Sequence, residues 1–257
     1  IPLIGPSGHT MVYASDMTNP TTLIDAGTAE RMIEIRRDIH RNPELSWAEH
    51  RTHDLICAEL ARLGIPARTN VAGTGVIADL PGPAGVPRVA LRADTDALPV
   101  QEETGLPFAS QNDGVMHACG HDGHTSMLLG AAAELRHRAL PAPVRLIWQP
   151  AEEKGRGAPA MIREGVLDEV GFIFGGHLDR HYPPGVLAVT AGAVNASTDT
   201  FVITIQGQDG HGARPHESID AVVIGSLMVM SLQTIVSREV DPAHPSVVTV
   251  GRFEAGF

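Results

Sequence analysis

The stretch from Met116 to His124 reads MHACGHDGH and holds three histidines, one cysteine and one aspartate in nine residues. A short glycine-containing turn carries these side chains, and an apolar helical pattern follows directly after it. Thiolate and imidazole groups are preferred ligands of transition metals, and packing alone does not explain their density here. The stretch therefore predicts a metal site at the start of a helix, with further ligands supplied by other parts of the chain.

Helices and strands alternate on both sides of this stretch. Before it, apolar spacing predicts a helix capped by Thr28 and a second helix from about Ala48 to Leu63, followed by three short strands. After it, the pattern predicts a strand from Val144 to Trp148, a short helix and a strand from Gly171 to Phe174. This alternation is typical of an α/β fold with a mixed or parallel sheet flanked by helices.

The character of the sequence changes near Asn195. Strands are predicted from Phe201 to Gln206 and from Ser246 to Val250, with a long helix from about Ser218 to Arg238 between them. This segment is interpreted as part of a smaller α+β domain. The chain then divides into a tag or disordered segment rich in Gly, Pro and Ser, a larger metal-binding domain and the smaller domain, at residues 1–20, 21–194 and 195–257.

Composition excludes some classes of protein. Thirty acidic and nineteen basic residues among 257 give a net charge of −11, which disfavours a nucleic-acid partner because phosphate binding needs clustered Lys and Arg. No run of 18 apolar residues occurs, so no membrane span is predicted. Only Cys57 and Cys119 carry thiols and no signal peptide is visible, so a reducing cytoplasm is the expected compartment.

Candidate ligands follow the predicted elements. Ligands gather at strand ends in α/β sheets, and both Glu152-Glu153 and His177 follow the end of a predicted strand. Cys119 and His121 are two residues apart, so a tight turn can direct both at one centre. Adjacent glutamates diverge, which allows one to bind a metal while the other takes a proton from bound water.

Asp94 and Asp96 follow another predicted strand and could orient ligands or the nucleophile. His211 lies in a glycine-rich turn of the smaller domain. Each candidate alone also has an ordinary structural interpretation: a surface residue for His177, a solvated loop for the two glutamates, turn formers for Asp94 and Asp96, a loop residue for His211, and solvated helix-start residues for His117 and His124. Their joint placement at successive element ends favours a functional site.

The motif HACGHDGH at His117–His124, followed by LLGAA at Leu128–Ala132, resembles the N-acyl-amino-acid amidohydrolases. This family includes aminoacylases, hippurate hydrolases and auxin-conjugate hydrolases, and is related to dinuclear-metal carboxypeptidases. The resemblance spans about Arg36 to Gly256. Its other segments occur in the family's order: RRDIHRNPEL (Arg36–Leu45), RADTDALP (Arg92–Pro99), QPAEE (Gln149–Glu153), GHL (Gly176–Leu178) and GHGARPH (Gly210–His216).

The resemblance implies a metallopeptidase-like catalytic domain and a smaller dimerisation, or lid, domain. It implies two divalent ions, zinc, manganese or cobalt, with metal ligands at Cys119, His121, Glu153 and His177. Glu152 is similar to the family's general base, which activates water and then protonates the leaving amine. His211 is similar to the histidine that a partner subunit presents to the scissile carbonyl, and Asp94 is grouped with these catalytic residues.

The implied reaction is hydrolysis of the amide bond of N-acyl amino acids by metal-activated water, in a homodimer or higher homo-oligomer. Two alternatives stay open: a dipeptidase or carboxypeptidase on the same scaffold, and an inactive metal-binding dimerisation module. A structural site needs no spare base, so Glu152 argues against the inactive module. The family continues past Phe257, completes both domains and supplies a last ligand histidine. The 257 residues alone are therefore expected to bind metal weakly and show little turnover.

Overall fold

A computed structural model of the chain describes residues 3–4, 10–13, 24–189, 191–192 and 197–256. The chain forms two compact units, residues 1–191 and 192–257. Most of the segment predicted to be a tag or disordered, residues 1–20, lies outside the described residues, although two of its pieces form short strands. Its interpretation as a tag stays a prediction.

The larger unit alternates helices and strands. In chain order its elements are β1 (Leu3–Ile4), β2 (Thr10–Tyr13), α1 (Ala26–Arg41), α2 (His50–Arg62), β3 (Ala67–Val71), β4 (Gly75–Leu80), β5 (Arg88–Asp94), α3 (His121–Leu135), β6 (Val144–Gln149), α4 (Gly157–Arg163), β7 (Val170–Gly175) and β8 (Val186–Val189).

Five of these strands form a mixed sheet in the order β3-β4-β6-β5-β7. β3, β4 and β6 pair antiparallel, whereas β5 is parallel to both of its neighbours, β6 and β7. β1, β2 and β8 form a separate antiparallel sheet. The predicted α/β fold with a mixed sheet and flanking helices is confirmed.

Alternating side chains place a core on each face of the five-stranded sheet. On β6, Leu146 and Trp148 pack with residues of α1, α2 and α3, while Ile147 points to the opposite face and packs with Met161 of α4. Burying each large apolar side chain contributes about 1.5–3 kcal/mol to folding. These two cores hold the strand ends, and therefore the loops after them, in fixed positions.

The predicted cap of the first helix is wrong by three residues. α1 begins after Asp25, whose carboxylate accepts the Thr28 N–H at 2.9 Å and the Thr28 hydroxyl at 2.7 Å. A carboxylate satisfies free N–H groups of a helix start and carries negative charge favoured by the helix dipole, so Asp25 takes the capping role.

The smaller unit contains α5 (Ala221–Thr234), a 3₁₀ turn at Pro215–Glu217 and a π turn at Ile235–Glu239. The strands predicted at Phe201–Gln206 and Ser246–Val250 are wrong. Among residues 197–256, only Gln208 and Ile219 form a β-bridge. Apolar alternation predicts a face but not a partner, and a strand needs the backbone groups of a neighbour.

Within the part of the chain that the structure describes, the helical stretch Ala221–Glu239 is long and apolar enough to meet the criteria for a membrane span, and 6% of it is buried. A single such helix is a weak indication, because helices of soluble proteins meet the same criteria. Leu227 and Met230 are 63% and 68% exposed in this unit.

Candidate metal centre

The candidate site lies where three parallel strands end. β5 ends at Asp94, β6 ends three residues before Glu152, and β7 ends two residues before His177. α3 begins at His121 beside them. Because parallel neighbours end at the same edge of a sheet, these four segments bring their side chains together.

Cys119 meets His177 across this edge. The residue after the cysteine, Gly120, caps α3 with a left-handed backbone at φ 87°, a conformation that favours glycine. The Sγ atom of Cys119 lies 3.2 Å from Nε2 of His177. The other ring nitrogen of His177 lies 2.7 Å from the carbonyl oxygen of Leu178, so it donates there and leaves Nε2 as the free acceptor facing the thiol.

His121 is 1% exposed and stands at the centre of the site. Its Nδ1 lies 2.8 Å from the carbonyl oxygen of Asp96 and must donate to it, so Nε2 carries a lone pair. That Nε2 is buried without a hydrogen-bond partner in the described structure. Burial opposes protonation of the ring, but the hydrogen bond to Asp96 and the charge of Asp94 raise the pKa of His121 overall.

The prediction that the two glutamates diverge is wrong, because both carboxylates approach Nε2 of His121. Oε1 of Glu153 is buried, has no partner among the described residues and lies 3.7 Å from Nε2 of His121. Glu152 is 41% exposed, and its Oε2 lies 3.9 Å from the same nitrogen. Burial and the charge of Glu152 raise the pKa of Glu153.

Two buried carboxylates hold the turn that carries this pair. Asp96 accepts the N–H groups of Glu152 and Glu153 at 3.0 and 3.1 Å. Glu49 accepts the N–H of Ala151 at 2.8 Å, where the backbone has a left-handed φ of 49°. Ser46 donates its hydroxyl to Asp96 at 2.6 Å. Sequence reasoning missed Ser46 and Glu49, because both read as ordinary residues before a helix.

Asp94 is fully engaged by cationic and imidazole groups. Arg92 donates to its Oδ2 at 2.6 Å, and Nδ1 of His124 lies 2.6 Å from its Oδ1. Burial opposes the charge of Asp94, but the His124 hydrogen bond and the Arg92 charge lower its pKa to about 2. Its Oδ2 is also 3.5 Å from Nε2 of His121. These contacts fix the Asp94 carboxylate at the edge of the site, and the catalytic role predicted for it stays a prediction.

His117 and His124 are each 3% exposed, so their interpretation as solvated helix-start residues is wrong. A second network lies behind them: Nδ1 of His40 is 2.9 Å from Asp122, and its Nε2 is 3.3 Å from Glu102. The segment RRDIHRNPEL pointed to this region through its resemblance alone, and no spacing rule identified His40.

His211 belongs to the smaller unit. Its side chain is exposed, and its Nδ1 accepts the N–H of Ala213 at 3.1 Å. The catalytic role that the sequence predicts for it stays a prediction.

The site fits divalent metal ions. Sets of side chains that bring ligand atoms within 4.8 Å of one another are Cys119, His121 and His177; His121, Glu152 and Glu153; and Asp94, His121 and His124. Burial and the charge of Glu153 raise the pKa of Cys119 to about 12, because several carboxylates lie close to this thiol. Unpartnered Nε2 and Oε1 atoms beside a thiol form a donor set for divalent transition-metal ions.

A sheet edge that gathers thiol, imidazole and carboxylate groups beside a spare glutamate is the arrangement of a metal-dependent hydrolase of the peptidase type. Residues 90–252 match Peptidase family M20/M25/M40, and the chain belongs to this family.

Two relatives show where in the family the chain lies. It is 50% identical over 228 residues to the IAA-amino acid hydrolase ILR1-like 2 of Arabidopsis thaliana, covering 88% of this chain and 52% of that protein. It is 40% identical over 252 residues to the N-acetyl-L-cysteine deacetylase of Bacillus subtilis (strain 168), covering 97% of this chain and 60% of that protein. The resemblance to amidohydrolases of N-acyl amino acids is confirmed.

A solved structure supports the same assignment. The chain resembles a dinuclear metal binding peptidase from the M20 family of Bacillus subtilis with a TM-score of 0.60 and 46% identity, covering 62% of this chain and 45% of that one. The chain spans 59%, 60% and 58% of the length of three of the curated relatives that it matches.

Proposed function

We propose that this chain carries the metal centre of an amidohydrolase that cleaves N-acyl amino acids with two divalent ions. The observation that supports this most is the pair of buried, unpartnered atoms Nε2 of His121 and Oε1 of Glu153, 3.7 Å apart. An unsatisfied buried nitrogen and carboxylate oxygen cost free energy unless a cation binds between them.

Cys119, His121, Glu153 and His177 would hold the ions, in zinc, manganese or cobalt form. Bound there, the ions would acidify water and stabilise negative charge on the substrate oxygen. The Sγ–Nε2 contact of Cys119 and His177 joins two segments 58 residues apart, so the ligand set depends on the folded sheet edge.

Glu152 is the proposed general base. It is partly exposed, so solvent and substrate reach it, and its carboxylate stands on the open side of the pair. In this role it accepts a proton from the attacking water and passes that proton to the leaving amine. The backbone N–H groups of Glu152 and Glu153 both donate to Asp96, which holds the turn that presents the two carboxylates.

The substrate class follows from what the two relatives share in their names, which is an acyl group joined to an amino acid through an amide. His211 of a partner subunit would polarise the scissile carbonyl, which makes a homodimer part of the proposal. A cytoplasmic location belongs to it as well.

The proposal is tested by separating chemistry from metal binding. Glu152→Gln should lower turnover about 10²–10⁴-fold, the usual contribution of a general base, while metal content stays nearly intact. Glu153→Gln should lose metal. Glu103→Gln, a change at an exposed carboxylate, serves as the control that alters neither. Loss of metal with activity only halved in Glu152→Gln would show that the two roles are wrongly assigned.

Hydrolysis of hippurate, N-acetyl amino acids and dipeptides, measured side by side, identifies the substrate. Cleavage of the first two supports the amidohydrolase. Preference for a free amine supports the dipeptidase or carboxypeptidase alternative. Metal binding without cleavage of any of them supports the inactive module.

A further inference from the structure

His124 lies in the first turn of α3, and both of its ring nitrogens have partners. Nδ1 lies 2.6 Å from Oδ1 of Asp94, and Nε2 lies 2.9 Å from the backbone nitrogen of Leu178. A backbone N–H can only donate, so Nε2 accepts and Nδ1 carries the proton that goes to Asp94. The ring has no lone pair left for a cation. His124 is therefore not a ligand, although it lies close enough to Asp94 and His121 to form a metal-binding set.

The Leu178 N–H belongs to the segment that carries His177. β7 ends at Gly175. In the described structure, the only hydrogen bond from the backbone of residues 176–178 to α3 runs from the Leu178 N–H to the His124 side chain. The carbonyl oxygen of the same Leu178 accepts from Nδ1 of His177. The backbone of Leu178 is thus held by His124 and in turn orients the ring of His177.

The other side of His124 is fixed by the sheet. Asp94 is held by Arg92, which also donates to Gln149 of β6 at 2.9 Å. The His124 and His177 rings meet edge to face, with centroids 4.8 Å apart. The chain of contacts runs from the sheet through Asp94 and His124 to Leu178.

We propose that His124 is a positioning residue, which holds His177 against Cys119 by accepting the Leu178 N–H. This inference rests on the proposed function, because it takes His177 to be a metal ligand. Outer hydrogen bonds of this kind typically change metal affinity about 10–100-fold when removed.

Two substitutions separate the two hydrogen bonds of His124. The amide oxygen of Gln reaches about as far as Nε2, so His124→Gln can still accept from Leu178. The amide of Asn reaches only as far as Nδ1, so His124→Asn keeps a donor for Asp94 and loses Leu178. The matched controls are His117→Gln and His117→Asn, because His117 is equally buried in the same stretch and makes no side-chain hydrogen bond among the described residues.

The measurement is cobalt(II) affinity of the purified protein by competition with a chromogenic chelator, together with the thiolate-to-cobalt absorption band. His124→Asn should weaken binding of one cobalt ion about 10–100-fold and reduce the band, while His124→Gln stays closer to wild type. Both His117 variants should bind cobalt as wild type does. Equal affinity in both His124 variants and wild type, or weaker binding in Gln than in Asn, overturns the proposal.

An amide-to-ester exchange at Leu178 gives the same test from the other partner, because it removes the N–H while the Leu178 side chain and His124 stay intact. This variant should lose as much cobalt affinity as His124→Asn, and it tests the role of the Leu178 N–H if His124→Asn does not fold. Cobalt binding needs no substrate. Cobalt affinities in the expected order from a protein that cleaves no N-acyl amino acid would refute the function and keep the inference. Wild-type cobalt affinity in all variants of an active enzyme would keep the proposed function and refute the role of His124.

Discussion

At the scale of single residues, His117 shows what burial without a partner does. Its side chain is 3% exposed, and both ring nitrogens lack a hydrogen-bond partner in the described structure. Burial lowers the pKa of His117 to about 4, although the nearby Asp122 partly opposes this. The folded protein therefore keeps this ring neutral over a pH range in which the unfolded chain protonates it.

This pKa difference makes stability depend on pH. The contribution of His117 is complete above the unfolded pKa of about 6.5 and is lost as the pH falls from there to about 4. Between pH 7 and pH 5 the wild type should lose about 2 kcal/mol more than His117→Gln. Urea denaturation of the chelator-treated proteins measures this difference. His137→Gln, at an exposed histidine, should behave as wild type. The same pH slope in His117→Gln and wild type would contradict the assignment.

Residue chemistry explains which site residues the sequence revealed. Cys119, His121 and His177 stand out because thiol and imidazole groups are rare and follow the ends of elements. Glu49 could not be found this way. It is 1% exposed and holds the Ala151 N–H, yet its sequence context is an ordinary helix start. Only the fold shows that this carboxylate is buried beneath a turn 102 residues away.

At the scale of elements, the turn after β6 is held in a narrow space. A Cβ added at Gly157, the first residue of α4, would lie 1.6 Å from the carbonyl oxygen of Pro150. Backbone atoms cannot rotate away as a side chain can. The helix start and the turn that carries Glu152 and Glu153 therefore need glycine at this contact.

Gly157→Ala should displace this turn. We expect a loss of about 1–3 kcal/mol in stability, as for other overpacked sites, and weaker metal binding, because Glu153 moves with the turn. Thermal unfolding and metal titration measure the two effects. Gly251→Ala is the control, since a Cβ there meets no atom within 4 Å and the backbone is not left-handed. Unchanged metal affinity in Gly157→Ala would show that the turn adapts without moving its carboxylates.

Periodicity predicted most elements of the larger unit, because each buries one face in a core. β6 and β7 were predicted to within one residue at each end. Strand order was beyond this reasoning, since β5 lies between β6 and β7 through contacts distant in sequence. The same limit explains the wrong strand at Phe201–Gln206, whose alternation carries no information about a partner.

At the scale of the whole molecule, metal binding should stabilise the native state, because its proposed ligands meet only in the folded chain. Free metal at 100 times its dissociation constant adds about 2.7 kcal/mol. Removing metal with a chelator should lower the unfolding temperature, and adding zinc, manganese or cobalt should restore it. Differential scanning calorimetry measures this shift. His177→Ala should show a smaller shift, and a full shift in that variant would count against its role as a ligand.

The proposed dimer makes a prediction about mixed subunits. If His211 acts in the partner's site, a dimer of one Glu152→Gln and one His211→Ala subunit contains one complete site. Random mixing of the two variants, each nearly inactive alone, should recover about a quarter of wild-type activity. Activity after co-refolding and separation of tagged hybrids measures this. No recovery in purified hybrids would place His211 outside the partner's site.

The edge position of β7 has a consequence for how long metal stays bound. Phe172 and Phe174 of this strand are 67% and 61% exposed, and β7 pairs only with β5 among the described strands. Edge segments with few covering contacts open at lower free energy than the centre of a sheet. His177 follows this strand, so if it binds metal as proposed, fraying of β7 can release this ligand while the core stays intact. The residence time of metal would then be set by local opening of one strand, well below the barrier to global unfolding.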